Sequence, residues 1–212
     1  MEYDSKNLRI LVDKKRLENY TQNPKIFNGK PLNFNYILPD ATDFKADLII
    51  IATKFDGLND VIKNMANFVK NDTVIISLLN GVTSEEIISK KYGWKNLPIA
   101  YYIGHSAMRD GNNITHDGVG TIVFGINDKT KTSEECIERT KKYFEKAKIE
   151  YKIPEDMPHA YWLKYMLNVS SNQPSAILRM TFGDMQSNKK FMEFLVKIMK
   201  EVQAIAKAEG IK

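Results

Sequence analysis

A strand–helix–strand unit between Asp47 and Leu79 constrains this chain more than any other feature. DLIIIAT, residues 47–53, is an apolar run rich in β-branched side chains. Such a run suits a central strand covered on both faces. The stretch that follows carries Leu58, Val61, Ile62, Met65, Phe68 and Val69 at helical spacing, with Asp60, Lys63, Asn64 and Asn67 on the opposite side. Thr73–Leu79 is again apolar and of strand length. Two buried strands joined by one amphipathic helix form a βαβ unit, and a parallel sheet follows from it.

The flanking segments extend this pattern. Leu8–Val12 is a short apolar strand, Asn28-Gly29-Lys30-Pro31 a turn, and Leu32–Ile37 an alternating strand. Past Asn80-Gly81, a short helix is expected over Ser84–Tyr92, then strands at Ile99–Ile103 and Thr121–Phe124. Ser133, with Glu135 and Glu138, opens a helix running to Ala147, and Lys148–Ile153 reads as a further short strand. From Pro158 the pattern is helical only. Pro158 suits a first helical turn. Trp162, Tyr165, Met166 and Val169 form one apolar stripe, and Phe191, Leu195, Ile198, Val202 and Ile205 form another on a helix ending near Gly210. The expected division is an α/β domain over residues 1–154 and a helical domain over 155–212.

Composition excludes several classes of function. With 43% hydrophobic and 27% charged residues, the chain has the make-up of an ordinary globular protein. Its longest apolar runs, Leu48–Ile51 and Val74–Ile76, fall far short of the roughly 18 residues of a membrane span. Met1–Lys6 does not read as a signal peptide. The formal charge is +5, but the basic residues are scattered in short groups such as Lys14-Lys15-Arg16 and Lys189-Lys190. Aromatic residues do not interleave with them, so solvated helix faces are expected and a nucleic-acid surface is not, while a site for a small anionic ligand needs only one or two of them and stays open. The single cysteine, Cys136, allows no internal disulfide and no multi-cysteine metal site, which fits a reducing, cytoplasmic compartment. It lies within a helical pattern, where a buried spectator is expected. His105, His116 and His159 lack zinc-ligand spacing, and no metal is expected.

Two constellations carry chemistry. In open α/β sheets, ligands sit outside the carboxyl ends of the strands. Lys54 follows one buried strand directly and Asn80-Gly81 follows the next, so a cation and an amide stand at adjacent strand ends. The plainer readings are a solvated lysine and a tight turn. The second constellation is Lys164, Asn168 and Asn172. Spacing of four and four puts them on one helix face, with a drift of about 40° per step. One lysine and two amides on a shared face suit a carboxylate and a carbonyl, and a partly desolvated lysine suits a general acid. The plainer reading is an exposed polar face, although mid-helix asparagine is a weak helix former. Gly118-Val119-Gly120 precedes a strand instead of joining strand to helix, so it is expected to be a hairpin or bulge and not a dinucleotide loop.

Taken together, ADLIIIATK ending in Lys54, ISLLNGVTSEEII with Asn80-Gly81, AMRDGNNITHDGVGTIVFG, WLKYMLNVSSNQPSAIL and EVQAIAKAEGI resemble the ketopantoate reductases (2-dehydropantoate 2-reductases) in order and separation. The resemblance implies an α/β fold: an incomplete Rossmann-like, doubly wound sheet followed by the start of an all-helical C-terminal domain that serves substrate and dimer contacts. It implies NADPH-dependent reduction of a 2-oxo acid, ketopantoate, to pantoate on the route to pantothenate and coenzyme A. Carried over by position, Lys164 resembles the proton donor, and Asn168 and Asn172 resemble substrate-binding amides. Asn80 resembles a contact to both ligands, and Lys54 and Ala107 resemble cofactor contacts. Arg16, or its neighbours Lys14 and Lys15, is where such a fold meets the ribose 2′-phosphate. A homodimer is compatible with the family.

The chain also departs from that pattern. The family opens with a strand and a Gly-x-Gly-x-x-Gly loop into a helix, and Leu8–Val12 looks like its second strand. The family also continues past the equivalent of Lys212, so this sequence reads as truncated at both ends. Phe182 stands where some relatives carry a substrate-binding asparagine. These departures leave two alternatives: a related reductase of another 2-oxo or 3-hydroxy acid, and a non-catalytic remnant.

Overall fold

A computed structural model describes residues 7–32, 34–104, 106–127 and 131–211. His105 lies outside the described residues. The strands are β1 (Ile10–Leu11), β2 (Lys25–Phe27), β3 (Lys30–Leu32), β4 (Tyr36–Ile37), β5 (Leu48–Ile51), β6 (Val74–Ser77), β7 (Ile99–Ile103), β8 (Ala107–Asp110), β9 (Asn113–His116), β10 (Thr121–Gly125) and β11 (Tyr151–Lys152). The helices are α1 (Lys14–Gln22), α2 (Leu58–Asn64), α3 (Ser84–Tyr92), α4 (Glu134–Ala147), α5 (Met157–Leu167), α6 (Gln173–Leu178), α7 (Phe182–Ser187) and α8 (Lys189–Ala208).

The βαβ unit is present. β5 and β6 pair in parallel, with Leu48 opposite Val74 and Ile51 opposite Ser77. Ile51, Leu58, Ile62, Met65, Ile75, Leu79, Ile88 and Leu97 close one face of this pair under α2 and α3. Val74, Ile76, Ala100, Phe124, Cys136 and Phe144 fill the other face under α4. Cys136 is fully buried, and burial pushes its thiol up to about 11, so it is an inert core residue as expected. α3 and β7 occupy the bounds that hydrophobic periodicity gives them. α4 begins at its Ser133 cap, whose hydroxyl accepts from the Cys136 N–H at 3.1 Å.

The strands depart from the sequence expectations at several points. β5 is not covered on both faces: Ile50 is 40% exposed, and β6 is the strand it pairs with among the described residues. β1 and β4 form a parallel pair of their own, with no strand between β1 and β5 among the described residues, as expected where Leu8–Val12 stands as a second strand. β7, β10 and β11 form another sheet, and it is mixed and not wholly parallel: β10 runs antiparallel to β7 and parallel to β11. Leu32–Ile37 is not one strand. Asn28 and Gly29, both at positive φ, make the two-residue hairpin turn. Lys30–Leu32 then returns along β2, and Tyr36–Ile37 pairs instead with β1. Gly118-Val119-Gly120 is an irregular link between β9 and β10; the hairpin lies earlier, where β8 and β9 turn at Gly111-Asn112.

Helices dominate after residue 154. α5 starts at Asp156, whose carboxylate accepts from the His159 N–H at 2.8 Å, with Pro158 in the first turn. The buried face of α5 carries Met157 and Tyr161, packed on Ile99 and Val123, while Trp162 is only half-buried. The stripe read from Trp162 is therefore one position out of phase. Gly125 explains the close seat. A Cβ there would stand 2.8 Å from the Met157 Cβ, so only glycine lets the helix lie this near β10. Met185, Phe191 and Leu195 form a small core between α7 and α8. Among the described residues, no helix is long and apolar enough to cross a membrane.

Candidate functional site

The site grows from two carboxyl ends. Because Ile51 lies opposite Ser77 in a parallel register, Lys54 and Asn80 leave the same edge of the sheet three residues later. Lys54 is exposed and begins a single 3-10 turn, Phe55–Gly57. Asn80 is exposed, and Gly81 behind it sits at φ +110°, a conformation that releases the chain sharply into α3.

The helical segment meets that turn. The Asn168 side-chain amide donates to Asn80 Oδ1 at 3.2 Å, and the Asn172 amide donates to Asn168 Oδ1 at 3.4 Å. Three of the residues marked in the sequence thus form one ladder of amides across the two parts of the chain. Lys164 stands one turn before Asn168 on α5 and is half-buried. Among the described residues it has no carboxylate ion-pair partner.

Local chemistry explains why the face is continuous. Asn168–Asn172 is a π-helical turn between α5 and α6. Pro174 follows in the first turn of α6. It has no N–H to give the Ser170 carbonyl four residues back, and its ring crowds that oxygen. Ser170 and Ser171 hydroxyls both turn back onto the Leu167 carbonyl, which draws the same ladder open. A wider turn has more residues per revolution than an α-helix. It therefore opposes the forward drift of about 40° that a four-residue step incurs in α-geometry, and keeps Asn172 on the side set by Lys164 and Asn168. Single π-turns inside helices occur frequently at functional sites.

Behind the amide ladder runs a second, buried one. Tyr161 donates to Glu85 Oε2 at 2.7 Å, and Ser84 Oγ donates to the same oxygen at 2.8 Å. Ser77 Oγ lies 2.8 Å from Ser84 Oγ and accepts from the Leu79 N–H at 3.4 Å. Since Ser84 gives its proton to Glu85, Ser77 donates to Ser84. Glu85 is 1% exposed, and its Oε1 lacks a side-chain partner among the described residues. Burial raises the carboxyl pKa against the opposing effect of the two hydroxyl donors, and burial next to this carboxyl raises that of the Tyr161 phenol. Sequence reading passed over these four residues. The available signal was Glu85 itself, an acid on the Ser84/Ile88 face that α3 turns inward.

The remaining marked residues stand apart. Arg16 is exposed in the first turn of α1, 3.2 Å from Asp13, and its N–H is capped by the Asp13 carboxylate. Ala107 is exposed in β8. No hydrogen bond ties Lys54, Arg16 or Ala107 to the amide ladder among the described residues. Phe182, 56% exposed, opens α7 behind a Thr181–Asp184 capping box. No cluster of three or more histidine, cysteine or acidic residues suits a metal among the described residues.

The strand-end amide and the lysine-bearing helix lie in two segments that family models match. The family described as Ketopantoate reductase PanE/ApbA matches residues 4–129, and its C-terminal counterpart matches residues 156–212. The chain belongs to the ketopantoate reductase family. A 2-dehydropantoate 2-reductase of Pyrococcus horikoshii is 30% identical over 169 residues, covering 79% of this chain and 54% of the relative. The chain thus spans about half the length of the curated relatives it matches. Among solved structures, a D-mandelate dehydrogenase with NADH and anilino(oxo)acetate superposes with a TM-score of 0.82 at 20% identity, over 97% of this chain and 68% of that one. A ketopantoate reductase from Staphylococcus aureus, described as dimeric, superposes with a TM-score of 0.70 at 22% identity, over 89% and 62%. At these identities the superpositions establish the fold, a ketopantoate reductase-type α/β domain with a helical C-terminal part.

Proposed function

We propose that this chain furnishes the substrate end of an NADPH-dependent ketopantoate reductase that makes pantoate. Residues 1–154 serve the cofactor, and residues 155–212 serve the substrate and a homodimer contact, in a cytoplasmic setting. The hydrogen bond between Asn168 and Asn80 carries this reading. It joins the carboxyl edge of the sheet, where ligands of open α/β folds lie, to a helix face that holds Lys164.

The residues present suit the nicotinamide end of such a cofactor, through Asn80 and Lys54, with Ala107 as a further contact. They do not include a pyrophosphate cradle, because no glycine-rich loop joins a strand to a helix among the described residues. Lys14, Lys15 and Arg16, at the start of α1, favour a 2′-phosphate and hence NADPH. The bound cofactor supplies hydride to the 2-oxo carbon. Lys164 stabilises the negative charge that develops on the carbonyl oxygen and delivers the proton to it. Asn168 and Asn172 hold the carboxylate and neighbouring oxygens of the substrate, and Asn80 orients them toward the sheet edge.

The test compares the 212-residue chain with the same chain extended at both ends by the matching segments of the Pyrococcus horikoshii relative. Each is titrated with NADPH by fluorescence and assayed on a panel of 2-oxo acids with NADPH and NADH. The extended chain is expected to reduce ketopantoate with NADPH, and the 212-residue chain to bind NADPH weakly without measurable turnover. Preference for another 2-oxo acid would favour the related-reductase alternative that Phe182 motivates. Absence of any 2-oxo acid reduction by the extended chain would sink the proposal. Tight NADPH binding by the shorter chain would place the cofactor elsewhere.

A further inference from the structure

We infer that Glu85 and Tyr161 are positioning residues: their buried hydrogen bond fixes helix α5 against the Asn80-Gly81 turn and so holds Lys164 and Asn168 in register with Asn80. The inference rests on the reductase reading for its consequence and on geometry for its substance. The buried ladder runs from the Leu79 N–H through Ser77 and Ser84 to Glu85, and ends at Tyr161. One end is therefore the residue before Asn80. The other end lies three residues before Lys164 on the same helix. A displacement of α5 by less than a side chain's width breaks the 2.7 Å bond to Glu85 and opens the 3.2 Å bond at Asn168 together. Glu85 offers its acceptor where apolar packing from Ile99, Val123 and Met157 surrounds the contact, so water does not compete for it. A carboxyl group retained in such a place specifies one arrangement of two elements, whereas a leucine there would allow sliding.

The experiment uses the 212-residue chain and ¹⁵N spectra of the Asn168 side-chain amide, whose shift and exchange report its bond to Asn80. The variants are Tyr161→Phe, Ser84→Ala, Glu85→Leu and Glu85→Gln, with Thr140→Val as a control that removes a buried hydroxyl bond remote from the site. Tyr161→Phe and Glu85→Leu are expected to shift the Asn168 amide toward a solvent-exposed value and to raise its exchange about 10-fold. Ser84→Ala should do so less. Glu85→Gln, which keeps an acceptor, should leave the amide close to its parent value, and Thr140→Val should leave it as in the parent chain. In whichever form of the protein turns over 2-oxo acid, Tyr161→Phe is expected to lower kcat about 10–100-fold, the range for a misplaced reacting group, with little change in the KM for cofactor. An unchanged Asn168 amide in folded Tyr161→Phe would overturn the inference. If that variant fails to fold, an unchanged amide in Ser84→Ala would do the same. If the amide responds as expected while no 2-oxo acid is reduced, the reaction assignment fails and the positioning role stands.

Discussion

Two ladders of polar groups cross from the sheet to helix α5, and they differ in depth and in length. The inner one, Ser77–Ser84–Glu85–Tyr161, is buried, and its side-chain bonds span 2.7–2.8 Å. The outer one, Asn80–Asn168–Asn172, is open to solvent at both ends, and its bonds span 3.2–3.4 Å. Hydrogen bonds strengthen in a low-dielectric interior, while an exposed amide pair competes with water at little net gain. The inner ladder therefore holds the crossing together. The outer one, on the proposed function, presents amides whose mutual bonds a ligand's oxygens would replace at little cost. Lys164, three residues from Tyr161 and four from Asn168, stands where the two meet.

The comparison is broken most sharply at that lysine. If Lys164 belongs with the reactive outer ladder, Lys164→Ala in a turnover-competent form is expected to lower kcat about 10²–10⁴-fold, with melting temperature and NADPH affinity near those of the parent. Retention of more than half the parent turnover would remove it from the mechanism. The next contrast lies one turn on, at the amides. Asn168→Ala or Asn172→Ala should weaken 2-oxo acid binding by about 1–3 kcal/mol, read by calorimetry, with little change for the cofactor. A loss confined to cofactor affinity would assign the amides to the other ligand.

The inner ladder gives the smallest and most diagnostic effect. Burial raises the pKa of Glu85 above its unfolded value. Between those two values the folded chain keeps a proton that the unfolded chain has released, so stability falls as pH rises through that window. One such group contributes a slope of at most about 1.4 kcal/mol per pH unit. Urea unfolding at a series of pH values is expected to show this decline in the parent, from the ordinary carboxylate range upward, and a flatter curve in Glu85→Gln. Parallel curves for the two proteins would mean that Glu85 titrates as a solvated acid and that the two ladders do not differ as described.

Much of this was legible in the sequence because apolar periodicity reports burial directly. The β5–α2–β6 unit, α3, α4 and the helical C-terminal part follow from it, and the four-residue spacing of Lys164, Asn168 and Asn172 located the outer ladder. Other features depend on partners distant along the chain. Tyr36–Ile37 leaves the Leu32 strand because β1 offers it a parallel edge. The exposure of Ile50 depends on which strands flank β5, which an apolar run does not encode. Tyr161 looked like one more aromatic beside Trp162, and Glu85 like one more acid at a helix start. Their bond spans 76 positions, beyond the reach of local spacing. The π-turn was hidden for a different reason: the proline that causes it lies two residues past it.

That turn also sets how the chain tolerates insertion and deletion. Each residue of an α-helix advances the side chains by about 100° around the axis. Loss of one residue between Leu167 and Pro174 would let the segment close into an ordinary helix, and four α-helical residues turn the chain about as far as the five of the wider turn. α6, α7 and α8 would then keep their faces, and the cost would fall on the spacing between Asn168 and Asn172. The same deletion within α5 has no such slack and would rotate everything beyond it by about 100°. The Asn168–Asn172 turn works as a slack joint between two helical segments, a place where a single-codon deletion leaves their relative phase intact.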